Sequence, residues 1–384
     1  MSNEYDYMIV GSGLFGLVLA QKIASVLDKS VVIIEKRNHI GGNCYSLTCK
    51  DSDIEYHKYG THIFHTSSKK IWDYINQFTS FNGYYHQVLS CYNNKMYQLP
   101  FNLETINSFY NINLKPFEVD NFLEELLKKE KNVTGNPKNL EEKAISMIGK
   151  DLYEAFIKGY TTKQWGKDPK ELPASIINRI PFRKDYNESY FNNSRWQGIP
   201  IDGYTSAFNK MIDHKKIKLH LDCDYFLNKN NFTIREKTIF TGPIDQFYDY
   251  KLGKLDWRGL SFEKEVMDVE DWQGTSVVNY PQLEFPYTRI HEPRHLHPER
   301  QYGKKTLIIK EFSKWDTIDP YYPVNDEKNK ELFKKYQELS KSERNVLFGG
   351  RLGEYAYYDM DVTIGAALSC FEKKINGNSL HESL

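Results

Sequence analysis

Between Tyr7 and Glu35 the chain leaves little choice of fold. Tyr7-Met8-Ile9-Val10 is a short apolar run, Gly11-Ser12-Gly13-Leu14-Phe15-Gly16 follows it, and an apolar-periodic stretch extends to Leu27. After a polar break, Val31-Val32-Ile33-Ile34 ends on Glu35. The order predicts strand, glycine turn, helix and second strand, a βαβ opening. Each glycine has its own task. Gly11 permits the tight turn, Gly13 lets the backbone approach a pyrophosphate, and Gly16 lets the helix pack closely on the sheet. The helix start offers unpaired N–H groups and the positive end of a dipole to phosphates. Glu35 ends the second strand, where a carboxylate accepts ribose hydroxyls, about 20 residues beyond the turn. This predicts a dinucleotide with an unphosphorylated ribose, NAD or FAD rather than NADP. A second glycine pair, Gly41-Gly42, followed by Asn43, brings the chain past the cofactor again and favours FAD.

With 384 residues the chain exceeds one small core, and two or three domains are expected. Lys plus Arg and Asp plus Glu both number 51, so no general field attracts nucleic acid or an anionic membrane. An anionic ligand must then be held by a few placed arginines. No run of 18 apolar residues predicts a membrane span. The polar start Met1-Ser2-Asn3-Glu4 and five cysteines without C-x-x-C spacing lead us to expect a cytoplasmic protein without a disulfide framework or structural zinc. His62 and His65 stand three apart where a loop enters a strand, and on a strand period two would put them on opposite faces. They are read as pocket-lining groups, and no metal is expected.

Further on, Gln87–Tyr92 and Lys95–Leu99 read as a hairpin with Asn93-Asn94 at its corner. From Asn102 the pattern turns helical: Val119, Phe122, Leu123, Leu126 and Leu127 share a face, and Asn139 with Glu142 resembles a capping box. The last helix of this insert leads to Tyr160, Thr161 and Trp165, aromatic and polar groups suited to a ligand. Pro169, Pro173 and Pro181 then mark a long loop that reads as a mobile lid, carrying Arg179 and Arg183. Short strands return at 217–221 and 237–240, and residues 255–315 read as several strands, clearest at 274–279 and 305–312. Near the end, Asn345–Phe348, Gly349-Gly350-Arg351 and a helix from about Asp359 or Asp361 restore the opening pattern. The fold class expected is α/β. A discontinuous Rossmann-like FAD-binding domain spans 1–80, 202–245 and 340–384. A helical insert domain spans 102–178, with a mobile loop at about 167–183. An antiparallel β-sheet domain spans 81–101, 184–201 and 246–339.

These residues together resemble the bacterial UDP-galactopyranose mutases over essentially the full length. The anchors are the Gly11–Gly16 turn, Glu35–Asn43, Tyr59–Thr66, Tyr160–Gly166, Pro286–Arg289, Tyr321-Tyr322-Pro323 and Gly350–Asp361. The resemblance implies an isomerase that interconverts UDP-galactopyranose and UDP-galactofuranose through a covalent adduct at N5 of reduced FAD, without net redox change. It implies Arg179 and Arg289 as the catalytic diphosphate arginines. Tyr160, Thr161 and Trp165 are then expected at the uridine end, with His86, Tyr190, Asn279, Tyr322 and Tyr357 as further substrate contacts. FAD is expected on Gly11, Gly13, Phe15, Gly16, Glu35, Gly42, Asn43, His62, Ile63, Arg351 and the helix start Met360, Asp361, Val362, Thr363, Ile364 and Gly365. A cellular flavin reductant and a homodimer are implied as partners, and the product is expected to feed cell-surface polysaccharide synthesis. Where members of the family usually carry an asparagine near the sugar, this chain has His86, which opens an N-acetylated or otherwise altered UDP-sugar as the substrate. An FAD-dependent oxidoreductase of amine-oxidase type shares the opening turn and the closing Gly-Gly-Arg, but has no use for two diphosphate arginines.

Overall fold

The computed structural model describes residues 3–128, 137–179, 181–191, 194–315 and 319–377. The opening motif forms as read: strand Glu4–Val10, helix Leu14–Val26 and strand Val31–Ile34. They enter a five-stranded parallel sheet in the order 346–348, 233–240, 4–10, 31–34, 217–220. Alternation sorts its side chains onto two faces. Tyr7, Ile9, Val31, Ile33 and Ile239 pack under the helices Leu14–Val26, Gly203–Ile212 and Met360–Cys370. Met8, Val10, Val32, Ile34 and Phe240 pack on the other side. Both faces are buried, as parallel strands require. The chain leaves the first strand toward 31–34 on one side, while 233–240 joins it on the other. The crevice at the carboxyl end of the first strand is therefore a topological switch point, where open α/β sheets bind ligands.

Gly11 adopts φ +99°, in the region that favours glycine. A Cβ on Gly16 would lie 2.3 Å from the Gly11 carbonyl oxygen and 2.9 Å from Ile9 Cγ2, so helix and strand meet here without space for a side chain.

The second sheet has seven strands in the order 322–323, 257–267, 306–314, 289–291, 277–279, 88–92, 95–99. It is antiparallel, as expected, at every pairing but one, where strand 277–279 runs parallel to 88–92. The longest strand of the chain, Trp257–Met267, pairs along its length with 306–314. The hairpin 88–99 turns through Asn93 and Asn94, both at positive φ, as the asparagine pair predicts.

The helical unit packs on the second sheet, against strands 88–92, 95–99 and 306–314, with helices 103–110, 119–128, 140–148, 150–152 and 159–165 and a π-helical stretch at 153–158. Asn139 accepts the Glu142 N–H at 2.9 Å and caps its helix. Phe101, Leu140, Ala144, Ile148, Leu152, Phe156 and Ile157 form the core of this unit. The proline-rich segment joins it: 169–171 and 174–179 are 3₁₀ turns, and Leu172 and Ile177 are buried in the same cluster. No helix among the described residues is long and apolar enough to cross a membrane.

Candidate active site

One cavity of about 1640 Å³ runs from the glycine turn, between the two sheets, to the helical unit. At its first end Gly13 begins the helix Leu14–Val26 without a side-chain cap, so the first-turn N–H groups stay available. The space where a Cβ on Gly13 would point is open, with nothing within 4 Å. The second glycine loop closes on the first, since a Cβ on Gly42 would lie 3.1 Å from Gly13 Cα. Glu35 is buried in the wall. Its Oε2 accepts from Ser12 N at 2.8 Å and Ser12 Oγ at 3.0 Å, and its Oε1 accepts from Arg37 N at 2.9 Å. The carboxylate thus ties the turn to the second strand and keeps lone pairs for a ligand. Helix Met360–Cys370 offers a second N-terminus: Asp359 holds the N-cap position but its carboxylate does not cap, while Val362 N–H donates to Asp361 Oδ1 at 2.7 Å. Arg351 extends over the Tyr357 ring at 4.9 Å and donates to the Tyr321 carbonyl, while its buried Nε finds no hydrogen-bond partner among the described residues. Two helix starts, two facing glycine loops and an orphaned guanidinium N–H fit the phosphates of a dinucleotide.

His62 and His65 both line the cavity, because His62 precedes the strand Phe64–Thr66 and escapes its alternation. His62 Nδ1 lies 2.7 Å from the Gly60 carbonyl oxygen. A carbonyl only accepts, so Nδ1 carries the proton and Nε2 is an acceptor. Burial pushes the imidazole down to about 4, so it is neutral.

The middle of the cavity is built by sheet register. Asn279 pairs with Arg289, and Arg289 pairs with Glu311, so three neighbouring strands present these side chains in one row. Arg289 Nε lies 3.4 Å from Glu311 Oε1. Arg289 Nη2 donates to the Tyr160 hydroxyl. Glu311 Oε2 meets His291 Nε2 at 2.9 Å, and His291 Nδ1 meets Thr61 Oγ1 at 2.8 Å. Burial works against the Glu311 charge, but Arg289 and the His291 contact outweigh it and hold the carboxyl at about 2. Burial equally opposes the Arg289 charge, and Glu311 with the surrounding tyrosines prevails, keeping it cationic. Burial raises Tyr160 to about 12 and Tyr322 well above the usual phenol range. Both hydroxyls are neutral donors at neutral pH. Asn279 Oδ1 is buried without a partner among the described residues.

The Glu311 carboxyl has an ordinary value of 4.5 and a folded value of about 2, so its charge stabilises the fold fully above pH 4.5 and progressively less toward pH 2. Glu311→Gln should therefore show a flatter loss of stability than wild type from about pH 5 to 3, read by urea unfolding midpoints. Equal acid slopes would contradict the pairing.

Toward the helical unit the wall turns apolar, with Leu99, Phe101, Phe156, Trp165 and Ile176. At the side, His65 stacks on Phe191 at 3.7 Å, and His86 meets Tyr190 edge-on at 4.9 Å. Tyr84 hydroxyl bridges His86 Nδ1 at 2.8 Å and Ser276 Oγ at 2.5 Å. Burial lowers His86 to about 3, so it is neutral here.

The residues expected from sequence separate into groups. Gly11, Gly13, Phe15, Glu35, Gly42, Asn43, His62, Ile63, Arg351, Met360, Val362 and Thr363 line the end of the cavity at the glycine turn. His86, Tyr160, Trp165, Tyr190, Asn279, Arg289, Tyr322 and Tyr357 line the remainder. Thr161, Gly16, Asp361, Ile364 and Gly365 are not part of the wall. Thr161 is buried one position beyond Tyr160, Gly16 serves helix packing, and Ile364 lies in the sheet core. The side chain of Arg179 lies outside the described residues. Sequence reasoning missed Glu311 and His291, which lie on two strands whose register was unknown. It also missed Arg37, which donates to Asp319 at 2.7 Å and Asn43 at 3.0 Å and stacks over Tyr59. Its position two residues past Glu35 was the available signal.

Against known proteins, residues 155–357 match the family described as UDP-galactopyranose mutase, and residues 9–78 match the NAD(P)-binding Rossmann-like domain. The chain is 38% identical over 384 residues to the Klebsiella pneumoniae protein named probable UDP-galactopyranose mutase, covering 100% of this chain and 98% of that one. It is also 38% identical over 381 residues to the dTDP-fucopyranose mutase of Escherichia coli, covering 97% and 98%. A crystal structure of reduced UDP-galactopyranose mutase superposes with a TM-score of 0.74 over 98% of this chain and 96% of that one, at 13% identity, a likeness of fold.

Proposed function

Because this chain belongs to the UDP-galactopyranose mutase family, we propose that it interconverts UDP-galactopyranose and UDP-galactofuranose on bound FAD. The observation that carries this reading is the single cavity joining a dinucleotide cradle to the Asn279–Arg289–Glu311 row. Reduced FAD, when bound, supplies the nucleophile toward the anomeric carbon and is recovered unchanged, so no net redox occurs. The protein's share is position and charge. Arg289, with Tyr160 and Tyr322 as neutral donors, stabilises the diphosphate as it leaves. Glu311 fixes Arg289 and offsets its charge until the anion arrives. Trp165 and the apolar wall beside it hold the uridine. Arg179, at the end of the 3₁₀ turn 174–179, adds a second cation. Tyr190, Tyr357 and Asn279 orient phosphate and sugar, and the glycine turns, Glu35, Asn43, His62 and Arg351 hold FAD. In this reading the enzyme works as a cytoplasmic homodimer. It is kept active by a cellular flavin reductant and supplies cell-surface polysaccharide synthesis.

The deciding experiment is anaerobic. UDP-galactofuranose is given to the protein with its flavin oxidised or reduced by dithionite, and UDP-galactopyranose is counted by chromatography. Many turnovers per flavin are expected in the reduced state alone; no pyranose from reduced protein would end this reading for this sugar.

A second reading concerns the sugar. The chain is as similar to a dTDP-fucopyranose mutase as to the Klebsiella protein, so identity does not rank their substrates. The same assay is run with dTDP-fucofuranose and with the N-acetyl analogue of the UDP-sugar. His86, buried against Tyr190 and Phe191, is our choice for the discriminating residue. His86→Asn should change the ratio of kcat/KM for UDP-galactose over its N-acetyl analogue by about tenfold, the scale of one altered polar contact. An unchanged ratio removes His86 from the argument.

A further inference from the structure

Tyr160 and Trp165 both sit on the short helix Gly159–Trp165, and Arg289 enters its strand from the loop 280–287. The two segments are more than a hundred residues apart in sequence, yet the Tyr160 hydroxyl accepts from Arg289 Nη2. Something must fix the helix against the loop. Lys163, one turn on from Gly159 on the same face, does so. Its ammonium donates to the carbonyl oxygens of Tyr280 at 2.5 Å and of Gln282, Phe285 and Tyr287, each at 2.9 Å. An ammonium has three N–H donors and no acceptor, so four converging carbonyls are a cation cage. Gly159 makes the same contact by close approach: a Cβ there would lie 2.3 Å from the Pro281 carbonyl oxygen. From the opposite side Arg258 closes the helix end, donating to the Gln164 carbonyl at 2.9 Å and the Lys163 carbonyl at 3.2 Å.

We propose that Lys163 is a positioning residue, whose ammonium locks the Tyr160–Trp165 helix onto the loop that delivers Arg289 and so sets the geometry of the diphosphate site. Among the described residues no other residue of the helix donates to that loop, and the loop's carbonyl oxygens would otherwise converge without a cation between them. Burial alone drives the Lys163 ammonium down to about 8, and the carbonyl cage acts against that loss of charge. Displacing reacting or binding groups by about 1 Å costs up to about a hundredfold, so a loosened joint has functional weight. This inference rests on the reading that the cavity binds UDP, and its test separates the two.

The test uses the full-length, FAD-loaded protein. Lys163→Met is compared with wild type by hydrogen exchange and by UDP affinity of the oxidised protein, titrated through intrinsic fluorescence. Exchange should quicken together in 159–165 and 280–287, with the flavin spectrum unchanged. The Kd for UDP should rise about tenfold. In a double-mutant cycle Tyr160→Phe should weaken UDP binding in wild type but add little to Lys163→Met. If Lys163→Met does not yield folded protein, Gly159→Ala opens the same joint and should give the same pattern. Unchanged exchange, a Kd within twofold of wild type, or strictly additive losses would each overturn the proposal. Wild-type protein that does not bind UDP would overturn the nucleotide reading itself, while the paired exchange change would still report the joint.

Discussion

Arg289→Ala is expected to lower turnover by at least about two orders of magnitude, the scale set by removing one charge-stabilising group. The loss should fall on kcat more than on flavin content, because Arg289 stands on the second sheet, away from the glycine cradle. Two effects combine. In the proposed mechanism the departing diphosphate loses its cation, and Glu311 is left as a buried carboxylate whose largest charge-stabilising neighbour is gone. The second effect makes a specific statement: Arg289→Ala with Glu311→Gln should recover stability relative to Arg289→Ala alone, but not turnover. Single-turnover rates of reduced protein and unfolding midpoints of the three variants check both halves. Near-normal turnover in Arg289→Ala would sink the mechanism as assigned.

The second large effect is expected at the glycine turn, where two neighbours should fail in opposite ways. Gly13→Val should leave a folded protein that has lost flavin, with affinity down by at least about tenfold. Gly13 has φ −69°, which valine adopts, and among the described residues no atom beyond its chain neighbours lies within 4 Å of its would-be Cβ. The side chain therefore occupies only the space reserved for the ligand. Gly16→Val should fail in the fold first, because its Cβ would meet the Gly11 carbonyl oxygen and Ile9. Circular dichroism, thermal midpoint and flavin absorbance of the purified variants distinguish the two. Retained flavin in Gly13→Val would show that the cradle is not where the phosphates sit.

These two glycines mark the boundary between what could be read and what could not. The roles of Gly11 and Gly16 were legible because they act within a dozen residues, through turn geometry and helix–strand distance. The same holds for the Asn93-Asn94 corner and the Asn139 cap, which are local hydrogen-bond and dihedral preferences. The pairing of His62 with the cavity could not be judged by strand alternation, since the strand begins only at Phe64. The proline-rich segment 167–183 read as a long mobile lid, yet Leu172 and Ile177 supply core contacts to the helical unit. Prolines exclude a long helix or strand, but they do not prevent short 3₁₀ turns from packing.

The sequence by itself determined the βαβ opening, the dinucleotide cradle and its acid, the helical insert and the family, because each rests on short-range pattern or on motifs kept together in the chain. Only the tertiary structure decided the centre of the site. Asn279, Arg289 and Glu311 stand in one row because three strands share one register, and a shift of one residue would turn all three away. Lys163 was one more lysine on a helix until the fold brought four carbonyl oxygens of a distant loop around its ammonium. Register and cages of this kind join segments that sequence keeps far apart, and packing alone sets the distances at which their charges act.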